Sequence, residues 1–335
     1  MSAEPKKIRW GVLGYARIAR ESVIPAIQRS SNSEFCALAS RDESKLADCR
    51  ARFTGIKTYL GYEELLRDTD LDAVYIPLPN ALHREWTIKA ASHGKHVLCE
   101  KPLALNAAEG REMIAACAAN GVTLMEAFMY RYTDRTRLVL ETLKSGVLGE
   151  IKFISSTFRF LLANPASIKF KPELGGGALY DVGCYAINFI GMIADQISGG
   201  KSPMPESMAV ECVRSGGVDV LFSALLKYPS GLVASVNCGF NSQRRIFAEI
   251  VGTLGVLEIP QTFADYPGAL TLTVGDQRRE ISVPECDRYR LEIEDFADAI
   301  LRRRAPHFSL TESQRNLEVM DQLFAASNCG PSHGA

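Results

Sequence analysis

The sequence has no excess of positive or negative charge, and it has no motif of paired cysteines. Its 38 lysines and arginines oppose 39 aspartates and glutamates, for a formal net charge of −1, so electrostatics does not favour nucleic acid as a partner. Its nine cysteines are scattered singly with no C-x-x-C pair, which favours reduced thiols over a disulfide framework or a structural zinc site. No apolar run approaches the roughly 20 residues of a membrane-spanning helix. We therefore expect a cytoplasmic protein with no metal site and no membrane contact.

The length of the chain favours two domains. Its 335 residues exceed what one hydrophobic core usually supports. Hydrophobic residues make up 47% of the chain and charged residues 23%, which is the balance of an ordinary globular protein. Neither domain is expected to depend on disulfides or bound metals for its stability.

The first part of the chain has the pattern of a parallel sheet with crossover helices, because short apolar runs alternate with amphipathic stretches from Ile8 to Glu126. Strands are predicted at residues 8–13, 34–39, 57–59, 72–76, 95–99 and 122–126. Helices are predicted at residues 16–29, 44–53, 62–67, 81–93 and 107–120. Six strands alternating with helices make a complete doubly wound Rossmann domain, which we assign to residues 1–127.

The second part of the chain has a different pattern. After a predicted helix at residues 136–145, longer runs of alternating apolar and polar residues predict an open, mostly antiparallel sheet. Helices are predicted again at residues 290–303 and 311–327. We therefore predict an α+β domain over residues 128–328, for substrate binding and oligomerisation, and a disordered tail over residues 329–335.

A glycine motif follows the first predicted strand. Residues 14–19 have the form G-x-G-x-x-G/A, with alanine in place of the second glycine of the motif. The methyl group of this alanine narrows the space for a pyrophosphate but does not exclude it. The motif opens a helix whose N-terminal N–H groups favour a phosphate. A tight strand-to-helix turn without a ligand is the alternative. The predicted cofactor contacts in this turn are Gly14, Tyr15, Ala16, Arg17 and Ile18.

The end of the second predicted strand indicates which dinucleotide binds. An NAD enzyme usually places an acidic residue there for the ribose 2′-hydroxyl, but this chain has Ser40 followed by Arg41. A small hydroxyl and a guanidinium suit a 2′-phosphate, so we predict NADP, with NAD as the alternative. Asp42 has two interpretations: a displaced ribose ligand, or the N-cap of the next helix.

A Glu-Lys-Pro motif ends the fifth predicted strand. Together with the glycine motif, Glu100-Lys101-Pro102 and the residues Pro79, Asn80 and His83 resemble the Gfo/Idh/MocA oxidoreductase family. The resemblance implies that Lys101 lies beside the nicotinamide and the substrate, and that the bond before Pro102 is cis. A lysine at the carboxyl end of a Rossmann strand also points towards the crevice where ligands bind, whereas the alternative is a surface lysine. Implied cofactor contacts are Pro79, Asn80, His83, Glu100, Lys101 and Pro102.

A second block, from Gly175 to Tyr185, is similar to the same family's signature in its second domain. Asp181 and Tyr185 are four residues apart, so on a helix they share one face. Tyr185 stands where many members carry histidine, which resembles the branch containing dimeric dihydrodiol dehydrogenase and NADP-dependent D-xylose dehydrogenase. Residues 126–131 also resemble that branch, although residues 132–134 depart from its pattern. Taken alone, Asp181 and Tyr185 are better explained as a helix N-terminal acid and a core aromatic, and it is the presence of Lys101 that favours a functional role.

These residues predict a mechanism for oxidising an alcohol carbon. Hydride removal must be accompanied by removal of a hydroxyl proton, and Tyr185 is our candidate for the base. The ammonium of Lys101 would lower the pKa of a neighbouring tyrosine and hold the reacting oxygen. Asp181 would orient a hydroxyl or Lys101 itself. Exchange of the roles of Lys101 and Tyr185 is the alternative.

The predicted function is an NADP(H)-dependent oxidoreductase that acts on CH–OH groups of a carbohydrate or polyol. Alternatives that change only the substrate are a trans-dihydrodiol, a 1,5-anhydro-ketose such as 1,5-anhydrofructose, and a keto-sugar nucleotide. A non-catalytic NADP-binding sensor is a further alternative. The family resemblance also implies a homodimer or homotetramer that assembles through the sheet of the second domain.

Overall fold

The computed structural model describes residues 6–327, which form two compact units. Unit 1 contains the described parts of Met1–Ala104, Ala108–Met129 and Asp287–Leu310. Unit 2 contains the described parts of Leu105–Ala107, Tyr130–Cys286 and Thr311–Ala335. The tail predicted at residues 329–335 lies outside the described residues.

Unit 1 is built on a six-stranded parallel sheet, as the alternating pattern predicts. The strands are β1 (Ile8–Leu13), β2 (Ser33–Ser40), β3 (Lys57–Leu60), β4 (Ala73–Ile76), β5 (His96–Glu100) and β6 (Leu124–Ala127). Their order in the sheet is β3-β2-β1-β4-β5-β6. Strands covered by helices on both faces are apolar throughout, and β4 is buried at every position. Strands β2 and β3 are added on one side of β1, whereas β4, β5 and β6 are added on the other. Ligands of such sheets bind at this switch point, outside the carboxyl ends of the strands.

Helices cover this sheet. They are a π-helical turn (Ala19–Val23) continued by α1 (Ile24–Arg29), then α2 (Glu43–Arg52), α3 (Tyr62–Leu66), α4 (His83–Ser92), α5 (Ala107–Ala119) and α8 (Arg288–Arg302). The sequence-based boundaries gave the segment of α8 to the second domain, whereas its contacts belong to unit 1. The reason is visible in the packing, because Phe296 of α8 lies 5.4 Å from the ring of Trp10 in β1.

Unit 2 contains an eight-stranded sheet in the order β14-β13-β12-β11-β7-β10-β9-β8. The strands are β7 (Ile151–Leu161), β8 (Ser207–Ser215), β9 (Val218–Lys227), β10 (Val233–Gly239), β11 (Asn241–Gly252), β12 (Gly255–Pro260), β13 (Gly268–Val274) and β14 (Gln277–Val283). Strands β7 and β10 pair in parallel, and the other described pairs of this sheet are antiparallel. The mostly antiparallel second sheet is therefore confirmed.

The helices of unit 2 are α6 (Asp134–Lys144), a π-helical turn (Leu179–Gly183) continued by α7 (Cys184–Ile197), and α9 (Leu310–Ala326). The helical stretch Pro172–Ile197 is long and apolar enough to cross a membrane by length and composition, and 94% of its apolar window is buried inside the structure. A buried core helix meets the same test. The burial of α7 agrees with a position against the sheet of unit 2.

The thiols agree only in part with the expectation of reduced cysteines. Seven described cysteines are free: Cys36, Cys49, Cys99, Cys117, Cys184, Cys238 and Cys286. Cys212 of β8 is disulfide-bonded, so at that position the expectation is wrong. Single, widely spaced cysteines carry no local pattern from which a pairing can be deduced.

A buried carboxyl group holds the start of the helix that leads into α7. Asp219 of β9 is 1% exposed, and its Oδ2 accepts a hydrogen bond from the N–H of Leu179 at 2.7 Å. Burial is the largest effect on this carboxyl and raises its pKa to about 6. Asp219 therefore satisfies an N-terminal N–H of the helix but resists ionisation.

We predict that Asp219→Asn removes one pH-dependent component of stability. The pKa of Asp219 is about 6 in the folded chain and about 3.9 in an unfolded one. The folded state therefore binds this proton more tightly, and the free energy of unfolding falls by up to about 3 kcal/mol as pH rises from about 4 to about 6. Asparagine keeps an acceptor for Leu179 but cannot ionise, so this fall should disappear from the variant.

Urea unfolding at about pH 4 and about pH 7 measures this component as the difference between wild type and variant. Asp276→Asn, at an exposed position in the turn between β13 and β14, is the control and should follow wild type. An equal pH dependence in wild type and Asp219→Asn would contradict the assignment.

Candidate active site

The turn after β1 has the geometry of a phosphate cradle. Gly14 has φ +104°, a backbone conformation that favours glycine, and a Cβ at this position would lie 2.9 Å from Cδ2 of Leu78, so that the tip of this side chain would have to shift. Ala16 accepts the N–H of Arg20 at 3.1 Å, and the first N–H groups of the helix after Ala16 have no acceptor within the helix. Such a turn fits the pyrophosphate of a dinucleotide.

The other residues predicted for this turn differ in exposure. Arg17 is exposed, with 84% of its side-chain surface accessible, and its guanidinium lies 3.9 Å from the carboxylate of Glu21. Ala16 and Ile18 are half-buried at the rim of the turn. Tyr15 is 5% exposed, its ring lies 6.0 Å from the guanidinium of Arg20, and burial raises its pKa. The structure therefore places the Tyr15 side chain inside the fold.

The end of β2 carries the residues expected to choose between dinucleotides. Ser40 is buried, and its hydroxyl accepts the N–H of Asp42 at 3.1 Å. Asp42 caps α2 by accepting the N–H of Ser44 at 2.9 Å and its hydroxyl at 2.6 Å, and the bonds from Ser44 lower the pKa of Asp42. Of the two interpretations of Asp42, the structure thus has the N-cap. Arg41 is exposed and lies 5.6 Å from the ring of Tyr62.

The Glu-Lys-Pro motif forms the loop after β5. The Lys101–Pro102 bond is cis, as the family resemblance implies. Glu100 is half-buried, and its Oε1 accepts the hydroxyl of Tyr75 at 2.6 Å while its Oε2 accepts the N–H of Lys101 at 3.3 Å. Two residues further on, the N–H of Leu103 donates to a carboxylate oxygen of the buried Glu126 at 2.8 Å. Side chains inside unit 1 therefore fix the backbone around Lys101.

His83 joins this loop to the loop after β4, which also carries the half-buried Pro79 and Asn80. The ring of His83 is fully buried, with Nδ1 2.9 Å from the carbonyl oxygen of Pro102 and Nε2 2.9 Å from that of Leu78. Burial outweighs the two acceptors and lowers the pKa of His83. The structure thus places His83 behind both loops, where it supports their backbones.

The glycines of the second block allow an unusually close backbone approach in unit 2. A Cβ at Gly176 would lie 2.6 Å from the carbonyl oxygen of Lys169, and that oxygen accepts the N–H of Gly177 at 2.9 Å. The N–H of Gly176 donates to the carbonyl of Lys171 at 3.0 Å. The segment 169–171 is therefore fixed against the start of the helix that carries Asp181.

Asp181 lies in the π-helical turn Leu179–Gly183, and Tyr185 lies in the first turn of α7. Tyr185 is 4% exposed, and its ring centroid lies 5.1 Å from that of Phe263 and 5.5 Å from that of Phe158. Asp181 is half-buried, and its Oδ2 lies 2.5 Å from Nζ of Lys169. A proton-transfer candidate surrounded by aromatic rings thus stands one helical turn from a charged pair.

Lys169 was missed by sequence reasoning. It occupies a short 3-10 turn (Ile168–Phe170), and a lysine in a loop has no periodicity that assigns it a partner. A signal was nevertheless present, because basic residues immediately before a glycine block can reach the helix that the block opens.

The motif at residues 126–131 has a structural explanation in each unit. Glu126 supports Leu103 in unit 1, as described above. In unit 2 the hydroxyl of Tyr130 donates to Oδ1 of Asn188 at 2.5 Å, and the buried Arg131 pairs with Glu312 at 2.7 Å. Within residues 6–327, no group of three or more His, Cys, Asp and Glu side chains is arranged to hold a metal ion.

Comparison with known proteins agrees with this arrangement. A family described as "Oxidoreductase family, NAD-binding Rossmann fold" (Gfo/Idh/MocA) matches residues 8–128, and the Gfo/Idh/MocA C-terminal domain matches residues 136–258. The D-xylose 1-dehydrogenase (NADP(+)) 2 of Haloferax volcanii is 39% identical over 326 residues, which cover 96% of this chain and 98% of that protein. A trans-1,2-dihydrobenzene-1,2-diol dehydrogenase of Xenopus tropicalis is 29% identical over 332 residues, with coverage of 94% and 96%.

A solved structure has the same fold over the same length. The crystal structure of a 3-ketoreductase from Actinomadura kijaniata, in complex with NADP and TDP-benzene, matches with a TM-score of 0.88 and 31% identity. The match covers 96% of this chain and 98% of the ketoreductase. From its glycine turn, its Glu-Lys-Pro loop and these matches, the chain belongs to the Gfo/Idh/MocA family of oxidoreductases.

Proposed function

We propose that this chain is an NADP(H)-dependent oxidoreductase that moves a hydride between the nicotinamide and a CH–OH carbon of a pyranose or related polyol. The observation that carries the proposal is the glycine turn at Gly14 together with Lys101 at the carboxyl end of β5, both in unit 1. Ligands of a doubly wound sheet bind at these carboxyl ends. When bound, the nicotinamide accepts or supplies the hydride.

The preference for NADP rests on the end of β2. Ser40 carries no negative charge that would repel a phosphate, and Arg41 offers an exposed guanidinium, a group that pairs bidentately with phosphate oxygens. The nearest carboxylate along the chain, Asp42, is engaged in capping α2 through Ser44. The ribose ligand typical of NAD enzymes is therefore replaced by groups that suit a 2′-phosphate.

We assign the proton chemistry to Tyr185, Lys101 and Asp181. In the oxidation direction the substrate carbon loses a hydride to the cofactor, and its hydroxyl loses a proton to the oxygen of Tyr185. A neighbouring cation stabilises a phenolate, and this is the role that we assign to the ammonium of Lys101, whose N–H donors would also hold the reacting oxygen. Asp181 orients the substrate. In the reduction direction Tyr185 returns the proton.

A pyranose is the first substrate class because the D-xylose 1-dehydrogenase of Haloferax volcanii is 39% identical over nearly the whole chain. A trans-dihydrodiol is the second candidate. It is favoured by the aromatic residues beside Tyr185, where the rings of Phe158 and Phe263 stack with centroids 5.6 Å apart at 19°, since apolar surroundings suit the hydrocarbon part of a cyclic diene.

We also propose that the chain forms a homo-oligomer through the open face of the unit 2 sheet. Alternate residues of β8 and β9 share that face, and Val213 and Leu225 on it are 49% and 51% exposed. Ser235 of β10 continues the same face beside Leu225. Exposed apolar side chains on a broad sheet favour burial against a second copy of the chain.

Replacement of Arg41 tests the cofactor assignment. Arg41→Ala should lower kcat/KM for NADP by about 10- to 100-fold and leave kcat/KM for NAD unchanged, because one charge-assisted contact is lost with the 2′-phosphate alone. Steady-state kinetics with both cofactors measures the ratio, and Arg67→Ala, at an exposed arginine of the same unit, is the control. An unchanged preference for NADP would overturn the role of Arg41.

Replacement of Tyr185 tests the proton assignment. Tyr185→Phe should lower kcat by about 100-fold or more while NADPH still binds, because the base is removed and unit 1 is untouched. The control is Tyr266→Phe at an exposed position of unit 2. If Tyr185→Phe keeps most of the rate while Lys101→Ala loses it, the lysine carries the proton.

Replacement of Leu225 tests the assembly. Leu225→Asp places a charge on the open sheet face and should convert the oligomer into 36.8 kDa monomers, as measured by sedimentation velocity. Leu254→Asp, at a position 61% exposed in the turn between β11 and β12, should stay oligomeric. A monomeric wild type, or dissociation by both variants alike, would contradict the proposed interface.

A further inference from the structure

The position of Lys169 is fixed by its backbone. Its carbonyl oxygen accepts the N–H of Gly177, and the close approach is allowed because Gly176 has no side chain. The hydroxyl of Ser167 accepts the N–H of Lys169 at 3.3 Å. Both the N–H and the carbonyl oxygen of Lys169 are therefore hydrogen-bonded. These backbone contacts hold the residue beside the start of the helix independently of its side chain.

The side chain of Lys169 forms a partly exposed ion pair with Asp181. Nζ of Lys169 lies 2.5 Å from Oδ2 of Asp181, and the two side chains are 36% and 19% exposed. The same ammonium lies 5.2 Å from the ring centroid of Phe160 and 5.9 Å from that of Phe240. Aromatic faces thus hold the cation in place while part of it remains accessible.

A purely structural role accounts poorly for this pair. A partly exposed ion pair contributes only about 0–1 kcal/mol to stability. The close packing of Gly176 is against the backbone carbonyl oxygen of Lys169, so it positions this residue whatever its side chain. A ligand gives the positioned ammonium a role, because an ammonium has three N–H donors and the contact with Asp181 uses one of them.

The chemistry of the pair selects the kind of ligand. A donor and an acceptor at hydrogen-bond distance match a hydroxyl group, which accepts from the ammonium and donates to the carboxylate. Asp181 lies four residues before Tyr185, about one helical turn away, so the spacing puts both residues on one face of this helical stretch. A hydroxyl bound at Asp181 would therefore belong to a carbon near the one whose oxygen faces Tyr185.

We propose that Lys169 is a specificity-determining residue that, together with Asp181, binds the hydroxyl on the carbon next to the reacting carbon. This inference rests on the proposed function, because it takes Tyr185 as the residue that faces the reacting oxygen. Lys169 donates a hydrogen bond to the oxygen of the neighbouring hydroxyl, and the carboxylate of Asp181 accepts a hydrogen bond from its O–H. The substrates are then vicinal diols, a class that includes both pyranoses and trans-dihydrodiols, and compounds that lack the second hydroxyl are rejected.

A pair of sugars tests the inference. The probes are D-xylose and 2-deoxy-D-xylose, and the variants are Lys169→Met and Lys169→Arg. Lys169→Met should lower kcat/KM for D-xylose by about 10- to 100-fold, mainly through KM, and change kcat/KM for the deoxy sugar by less than about three-fold. Lys169→Arg should recover part of the loss, because arginine keeps the charge and the donors. Lys171→Met, two residues away at an exposed position, is the matched control and should behave as wild type.

Binding of each sugar to the enzyme with NADPH separates this inference from the proposed function, because no hydride can pass to an already reduced cofactor. Equal losses for both sugars in Lys169→Met would overturn the inference while wild-type turnover upholds the function. Wild-type binding without turnover, weakened for D-xylose alone by Lys169→Met, would uphold the recognition of the second hydroxyl by Lys169 and overturn the proposed hydride transfer from D-xylose. Failure of wild type to bind D-xylose would overturn both.

Discussion

Buried hydrogen bonds hold the backbone on which Lys101 stands, and the proposed chemistry depends on them. The carboxylate of Glu126 accepts the N–H of Leu103, and the ring of His83 lies against the carbonyls of the loops after β4 and β5. Tyr75 holds the carboxylate that precedes Lys101. These side chains sit inside unit 1, where an unmet polar group is costly, so each bond also fixes geometry. The loop is therefore preorganised, as a site of hydride transfer requires.

In unit 2 the candidate residues are also held in place, but by close backbone packing at the start of a helix. Its candidate residues stand on a helix entered through glycines, and the absent side chain of Gly176 lets the segment of Lys169 approach the helix start. Asp219 secures the same start from the neighbouring strand. The aromatic rings around Tyr185 then provide an apolar wall beside a charged pair. A polyol has this dual character, since its C–H faces are apolar and its hydroxyls need donors and acceptors.

The architecture could be predicted from the sequence because both sheets have strong periodicities. Parallel strands such as β4 are apolar throughout, and β9 alternates, so the fold class and the motifs on strand ends were within reach. Periodicity does not indicate which element a helix or strand packs against, or which group a polar side chain binds. Helix α8 was predicted but its packing on Trp10 was not, and Asp42 remained ambiguous until its bonds to Ser44 were visible. Lys169 was missed because its role arises from a contact across a loop.

The central claim is that a substrate hydride passes directly to NADP at this site. Incubation of the enzyme with NADP and D-xylose deuterated at its anomeric carbon, followed by mass spectrometry of the reduced cofactor, tests it directly. The account predicts deuterium in the reduced nicotinamide and a slower rate than with unlabelled sugar. Reduced cofactor without deuterium, or no reduced cofactor at all, would contradict it.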